Sequence, residues 1–404
     1  MVENIYKNDN SDEVLKKIMD KLVERNNSFI KIKKYLNKVK LFVKTKPLIR
    51  DFSLRKDNLN IIICGVKYPF VYGGSEILIE SLQDELRRRG HIVDVIKLPY
   101  KNLPLEQIIK NCLSWRLIDF TKFDEGSIDL LIATKFPSYF AKHPNKVIWL
   151  QHQLRQSYDL ANSSIGIKGS QEAEELNKWI KDMDCMVISE AKKIFTISKN
   201  VSYRLKKYNG LDSKVLYPPP KLLGRYRNDE YKDYILYVGR LNDLKRIDLL
   251  IDSMRFVEPN LKCLIVGEGI IKDKLMKLVE EYNLKEKVEF LGFVDDDRLL
   301  DLYANCLCVF FAPVDEDYGF ITIEAFNSEK PVITLSDSGG VLEFVKHEKN
   351  GFISKEDPKE IAKIFNYLYI NKDIAKKLGA EGKKTVEFIT WDYVITNLLS
   401  AIEK

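Results

Sequence analysis

No apolar run in the sequence approaches the ~20 residues a helix needs to cross a bilayer, and the opening MVENIYKNDN has no signal-peptide core. Cysteine is sparse and dispersed: of six, only Cys306 and Cys308 lie close together. That spacing, inside an apolar stretch, fits neither a zinc knuckle nor a redox CxxC, so reduced, buried thiols in a cytoplasmic protein are expected. The nicotinamide fingerprint GxGxxG is missing; neither YGGSE (Tyr72 to Glu76) nor GEG (Gly267 to Gly269) reproduces it. A basic face interleaved with aromatics is also lacking, which argues against nucleic acid as a partner.

What is present belongs to a large soluble protein. With 404 residues, 45% hydrophobic and 31% charged, the chain suits two domains rather than one core. The net charge of +6 is uneven: residues 1–57 hold fifteen Lys/Arg against eight Asp/Glu, or +7, leaving about −1 for the rest. Within that segment KIKKYLNKVKLFVKTK (Lys31 to Lys46) carries seven lysines and no acid. As a helix it gathers Ile32, Tyr35, Leu36, Val39, Phe42 and Val43 on one side. Such a stripe suits an anionic membrane surface, or equally plain packing on the body with the lysines solvated.

From Asn60 onward strands and helices alternate. NIIICG, a helix from Ser75 to Arg89 closed by Gly90, and HIVDVIKL form a βαβ unit, which implies a parallel sheet with right-handed crossover. IDLLIAT, KVIWLQ and KKIFTIS continue the series. The prolines of KVLYPPPKLLGRYRNDEYKD break it, so Tyr217 to Asp233 reads as an interdomain linker. YILYVGR, KCLIVGEG, VEFLGF, CVFFAP, PVITLS and GFIS repeat the theme, with helices expected at Lys245–Val257, Ile271–Tyr282, Asp297–Asn305, Thr322–Ser328 and Gly340–His347. Ligands of such sheets sit at the carboxyl ends of the strands.

Those ends carry the chemistry. Glu316 and Glu324, seven residues apart, bracket EDYGFITIE, where a strand, a glycine turn and a helix start can hold an anion while a carboxylate accepts from sugar hydroxyls. Arg240 ends a strand and Lys245 follows at the next helix; a guanidinium fork and an ammonium together suit a diphosphate. Read blandly, they are surface cations, but at a helix start positive charge is unfavourable. Gly73 and Gly74 let backbone approach a ligand, or merely make a tight turn. Asp315-Glu316-Asp317 has the look of a DxD metal site; Asp295-Asp296-Asp297 is better explained by helix capping.

GGSE, VGRLNDLKR, LIVGEG, VEFLGFVDDDRLLDLYANC, the paired glutamates, EKPVITLSDSGGVLEFV and NGF together resemble, in content and order, the family-four glycosyltransferases of GT-B fold. The resemblance runs from about Asn58 to the C-terminus and is densest from Tyr234 to Phe352; residues 1–57 lie outside it. It implies two Rossmann-like, doubly wound α/β domains facing across a cleft. Residues 58–218 would form the acceptor-side domain, joined by a helix at 391–404, and 219–390 the nucleotide-sugar domain, with 1–57 a basic helical extension.

The resemblance further implies retaining transfer from a UDP- or GDP-linked sugar to a cell-surface glycan or lipid-linked acceptor. Arg240 and Lys245 would neutralise the diphosphate, Glu324 would bind the ribose, and Glu316 would approach the anomeric region. Gly319, Phe320 and Ile321 would line sugar and phosphate, Gly73 and Gly74 the phosphate or acceptor. His152 would face the donor sugar, although a lone histidine is more often structural. Arg155, Tyr158 and Asp159 are nearby groups without assigned roles. No metal or other cofactor is expected, since Arg240 and Lys245 supply the positive charge, and the protein would be cytoplasmic, at most peripheral at the inner membrane face. A nucleotide-sugar epimerase on the same fold and a non-catalytic nucleotide-sugar-binding scaffold are the rival readings.

Overall fold

The computed structural model describes residues 58–123, 126–163 and 165–402; the basic extension and its Lys31–Lys46 stripe lie outside them. The amino-terminal half contains β1 (Asn60–Lys67), α1 (Gly74–Arg88), β2 (Ile92–Pro99), α2 (Glu106–Leu117), a small hairpin of β3 (Lys122–Phe123) and β4 (Gly126–Ser127), and β5 (Leu130–Ala133). It continues with β6 (Lys146–Leu150), α3 (Gln171–Ser189), β7 (Lys193–Thr196), α4 (Lys199–Asn209) and β8 (Lys214–Val215). Six strands pair in parallel in the order β2-β1-β5-β6-β7-β8. Strands covered by helices on both faces are mostly apolar, and β5 and β6 are buried at every position, with Lys146 the one charged residue among them.

The second half contains β9 (Tyr234–Val238), α5 (Ile247–Ser253), β10 (Lys262–Val266), α6 (Lys272–Glu281), β11 (Val288–Gly292), α7 (Asp296–Asn305) and β12 (Cys308–Phe310). It ends with α8 (Phe320–Asn327), β13 (Val332–Leu335), β14 (Gly351–Ser354), α9 (Pro358–Ile370), α10 (Lys372–Val386) and α11 (Trp391–Leu399). Its parallel sheet runs β11-β10-β9-β12-β13-β14. In each sheet the chain first winds outward on one side of the founding strand and then returns on the other. The crevice where winding reverses lies between β1 and β5 in one half and between β9 and β12 in the other. This is the doubly wound α/β architecture, twice, that the sequence predicts.

Helix α11 packs on the amino-terminal sheet. The Trp391 ring sets its plane edge-on to Trp149 at 6.4 Å, Lys193 Nζ donates to Ser400 Oγ at 2.7 Å, and Arg89 pairs with Asp392.

Three expected helices differ from those found. Lys245–Val257 is not one helix. A 3-10 turn at Asp243–Lys245 ends at Arg246, whose φ of 51° breaks the axis before α5; a second 3-10 turn, Met254–Phe256, follows it. The Arg246 guanidinium is anchored to Asp337 at 2.7 Å, which offsets the left-handed backbone. Gly340–His347 is reduced to a 3-10 turn over Gly340–Glu343, and the Asn350 side chain takes the Phe344 O and Lys346 N–H groups at 2.9 and 2.7 Å where a helix would have continued. Helix α8 begins at Phe320, two residues earlier than Thr322, since Gly319 at φ 91° turns the chain directly into it.

Candidate active site

The loops at the two crevices face each other. On the carboxy-terminal side, β9 delivers Arg240 and the following turn delivers Lys245, while the segment after β12 delivers Asp315, Glu316 and Asp317. Lys245 Nζ is hydrogen-bonded to the Glu316 carboxylate and lies 5.2 Å from the Phe311 ring centroid. Arg240 is exposed, and no carboxylate among the described residues pairs with it. Its guanidinium instead lies against the first glycine of the opposite loop: a Cβ at Gly73 would sit 3.6 Å from Arg240 Nε. A Cβ at Gly74 would sit 3.4 Å from the Phe320 ring. The glycine pair is therefore where the backbone of one domain meets the side chains of the other.

Gly319 carries the bend into α8; at φ 91° an added Cβ would also fall 2.9 Å from Val341 and 3.2 Å from Phe311. Phe320 and Glu324 stand four residues apart on one face of α8, so the residue touching Gly74 and the expected ribose ligand share a side of the helix. Glu324 is half-buried against Tyr303, whose hydroxyl donates to it at 2.8 Å. Burial pushes its carboxyl up to about 7 even though hydrogen bonds from Tyr303 and Tyr226 oppose the rise. Ile321 is half-buried on the same helix.

On the amino-terminal side His152 follows β6. Its Nδ1–H donates to Gln153 O at 2.7 Å, which leaves Nε2 as the acceptor. Burial holds the imidazole below its ordinary pKa against the pull of Asp317, so it is a neutral group. Tyr158 turns inward: its hydroxyl donates to the buried Asp184 at 2.8 Å and is spent in the domain interior. Arg155 reaches across, bonding Asp315 at 2.9 Å as well as Asp159 at 2.7 Å.

Two groups escaped the sequence reading. Lys135 sits immediately beyond β5, at the crevice; it is 3% exposed, donates to Ser75 Oγ at 2.8 Å and lies 3.7 Å from Glu76. Burial lowers its pKa, and its charge is felt by both Arg240 and His152. Its signal was its position at the end of IDLLIAT. The other is the start of α4: Asn200 Nδ2 donates to Asp315 Oδ1 at 2.8 Å and Glu316 O at 2.9 Å, and Arg204 pairs with Asp317. Nothing in SKNVSYRLKKYN distinguishes these from an ordinary amphipathic helix.

The acidic run Asp315-Glu316-Asp317 is thus engaged by cations and an amide, and no group of three or more His, Cys, Asp or Glu among the described residues is placed to hold a metal. Asp295 caps α7 by accepting from Arg298 N–H at 2.8 Å.

Residues 221–385 match the family described as glycosyl transferases group 1. An uncharacterized glycosyltransferase of Methanocaldococcus jannaschii is 26% identical over 370 residues, 81% of this chain and 93% of that protein. A Campylobacter jejuni enzyme is 35% identical over 124 residues, 31% of this chain and 33% of its own length. It is named N-acetylgalactosamine-N,N'-diacetylbacillosaminyl-diphospho-undecaprenol 4-alpha-N-acetylgalactosaminyltransferase. Among solved structures, Anabaena Alr3699/HepE in complex with UDP and glucose superposes with a TM-score of 0.61 at 18% identity, covering 84% of this chain and 99% of that one. With two doubly wound domains closed on a shared cleft, the chain has the GT-B fold, and its residues 221–385 are similar to the glycosyl transferases group 1 family.

Proposed function

We propose that this glycosyltransferase moves a sugar, with retention of configuration, from a UDP- or GDP-linked donor to a glycan or lipid-linked acceptor. The observation that carries the reading is Arg240: an exposed guanidinium against the glycine loop of the facing domain, with no carboxylate partner among the described residues. A diphosphate placed there accepts a forked pair of N–H bonds and meets the start of α1, where free backbone N–H groups also favour an anion. Donor binding draws the Lys245 ammonium to phosphate and frees Glu316 to orient the sugar. Breaking the glycosidic phosphate bond leaves extra charge on the diphosphate, so Arg240 and Lys245 stabilise the transition state more than the ground state.

A two-step route needs two carboxyl groups ~5 Å apart, whereas the neighbours of Glu316, Asp315 and Asp317, are tied to Arg155, Asn200 and Arg204. Same-face substitution is the better fit. The departing phosphate oxygen takes the acceptor proton, Glu316 stabilises the positive anomeric centre, and neutral His152 faces the sugar. Glu324 accepts from the ribose hydroxyls, while Gly319, Phe320 and Ile321 lie along sugar and phosphate and Gly73 and Gly74 along the phosphate or acceptor. Metal is not required in this scheme. The complexed UDP of the Anabaena structure and the diphospho-undecaprenol acceptor in the Campylobacter enzyme's name support the donor and acceptor classes. No helix among the described residues is long and apolar enough to cross a membrane. A lipid-linked acceptor would then be met from the surface, with Lys31–Lys46 as the contact.

A thermal-shift screen of UDP, GDP and their sugars tests this. A donor at 100 times its dissociation constant should stabilise the protein by about 2.7 kcal/mol. Absence of a shift with every nucleotide would overturn the proposal, and a glycosyl ester trapped on Glu316 would overturn the same-face route.

A further inference from the structure

Glu316 is held from both domains. From its own domain, Gly340 N–H donates to Glu316 O at 2.8 Å, and Glu316 bridges in parallel to Gly339. Gly339 has φ 62°, and a Cβ there would fall 2.6 Å from Glu316 O and 2.8 Å from Asn200 Nδ2, so only glycine allows this packing. From the other domain, Asn200 Nδ2 bonds the Glu316 carbonyl and the Asp315 carboxylate together. Arg155 holds Asp315 and lies 3.4 Å from Asp317, Arg204 pairs with Asp317, and Ser198 Oγ donates to Asp317 O. A second clamp lies beside the first. The Glu343 carboxylate of the carboxy-terminal domain accepts from Lys199 N–H at 2.9 Å and Asn200 N–H at 2.8 Å, capping α4 from across the cleft. Tyr217 of the linker donates to the same carboxylate at 2.8 Å.

Asp315 pays for this arrangement with a backbone φ of 41°, a left-handed conformation that a non-glycine residue keeps only where its surroundings hold it. Its N–H is tied within its own domain to Asp337 O at 2.9 Å, while its carboxylate is held from the partner domain by Arg155 and Asn200. A carboxylate that must meet one atom of a sugar loses effectiveness with small displacements, because productive geometry tolerates only ~0.5 Å.

We propose that Arg155, Asn200 and Arg204 are positioning residues for sugar transfer: they grip Asp315 and Asp317 on either side of Glu316 and set its carboxylate in place only when the two domains are closed. This rests on the role given to Glu316 above. It goes further in making the amino-terminal domain part of the machinery that places the group acting on the donor.

Asn200→Ala and Arg155→Lys test it in the full-length chain, each alone and in a Glu316→Gln background. With the donor found by the nucleotide screen, each single variant should lower kcat at least tenfold and change the Kd for UDP or GDP less than threefold. In the Glu316→Gln background the same substitution should cost less than twofold, because the group it positions is gone. An equal loss in both backgrounds means a merely structural role and overturns the proposal; so does an unchanged kcat. Retention of full activity by Glu316→Gln alone would instead sink the underlying role of Glu316. Hydrogen exchange decides independently of turnover. Amides of residues 315–319 should exchange at least tenfold faster in Asn200→Ala than in the parent chain at an unchanged melting temperature, and equal exchange overturns the latch even if no donor is turned over.

Discussion

Two clusters of charge in this molecule use the same residue types to opposite ends. In the amino-terminal domain Arg116 forks onto Glu190 at 2.6 and 2.7 Å, and Lys146 Nζ reaches Glu190 at 3.2 Å and Val187 O at 2.8 Å. Arg116 and Lys146 are almost fully enclosed. Burial lowers Lys146 to about 8, with Glu190 resisting, so the cluster moves toward neutrality by its own chemistry. In the cleft, Lys245 pairs with Glu316 and Lys135 with Glu76, but Arg240 stands exposed with no carboxylate partner among the described residues. Enclosed, paired charge holds a fold together; the exposed Arg240 guanidinium is the group that the proposed diphosphate would meet.

The largest effect should come from breaking the first cluster. Glu190→Gln removes the carboxylate that Arg116 and Lys146 share, and removing one partner of a buried pair costs about 3–5 kcal/mol. Urea unfolding should show that loss, while titration calorimetry with UDP or GDP on the folded protein should show an unchanged Kd. A stability change within experimental error would erase the distinction between the clusters.

Arg240→Met should do the reverse. With Arg240 meeting the leaving diphosphate as proposed, its removal lowers kcat by about 100- to 1,000-fold, with the melting temperature unaltered because no carboxylate among the described residues loses a partner. A parallel fall in stability would make Arg240 a structural cation after all.

Why one cluster was legible in the sequence and the other was not follows from the same contrast. Arg240, Lys245, Glu316 and Glu324 sit next to strand ends and glycine turns, and local sequence marks those places; the doubly wound sheets themselves announce their strands as apolar runs. Glu190, Arg116 and Lys146 are 74 residues apart at the extremes and come together only through packing. The helix ends at Arg246 and after Glu343 were hidden as well: each lies where a residue distant in sequence or in a later loop takes the groups, Asp337 in one case and Asn350 in the other. Lys135 lay at a readable strand end, but a lysine following an apolar strand carries no sign of whether it turns inward.

The latch lies between the two extremes, since its charges are paired yet belong to different domains. Burial alone would raise the Asp317 carboxyl; Arg204 and Arg155 outweigh it and hold the group far below the usual carboxylate range. A depressed carboxyl stabilises the fold above its unfolded pKa of about 3.9 and ceases to do so as pH falls through the folded value. Asp317→Asn should therefore destabilise by about 2–3 kcal/mol, less than a fully enclosed pair because Asp317 keeps some solvent contact. Calorimetry should find the deficit constant from about pH 5 to 8 and shrinking below about pH 4. A deficit that persists undiminished in acid would mean that packing, not charge, closes the domains.

Glu324 gives the smallest effect and the sharpest one, because its sign is opposite to that of Asp317. Burial raises its carboxyl from 4.5 to about 7. Below about pH 4.5 it is protonated in folded and unfolded chains alike and contributes nothing. Between 4.5 and 7 the unfolded chain ionises first, so stability falls as pH rises, and above 7 the full penalty is present. Discounted for partial exposure, that penalty is about 1–2 kcal/mol. Glu324→Gln should recover it at pH 8 and have little effect at pH 5, as followed by thermal unfolding. Binding should run the other way: ribose hydroxyls donate to a carboxylate better than to an amide, so the variant's Kd for UDP or GDP should be about tenfold weaker at pH 8 and nearly equal at pH 5.5. Taking the ratio of the two proteins cancels the titration of the diphosphate itself. A residue whose removal stabilises the empty fold and weakens its ligand at the same pH is held ionised against its surroundings for the ligand's sake; a stability gain equal at both pH values would show instead that Glu324 is an ordinary buried carboxyl, and that only the cations mark the cleft.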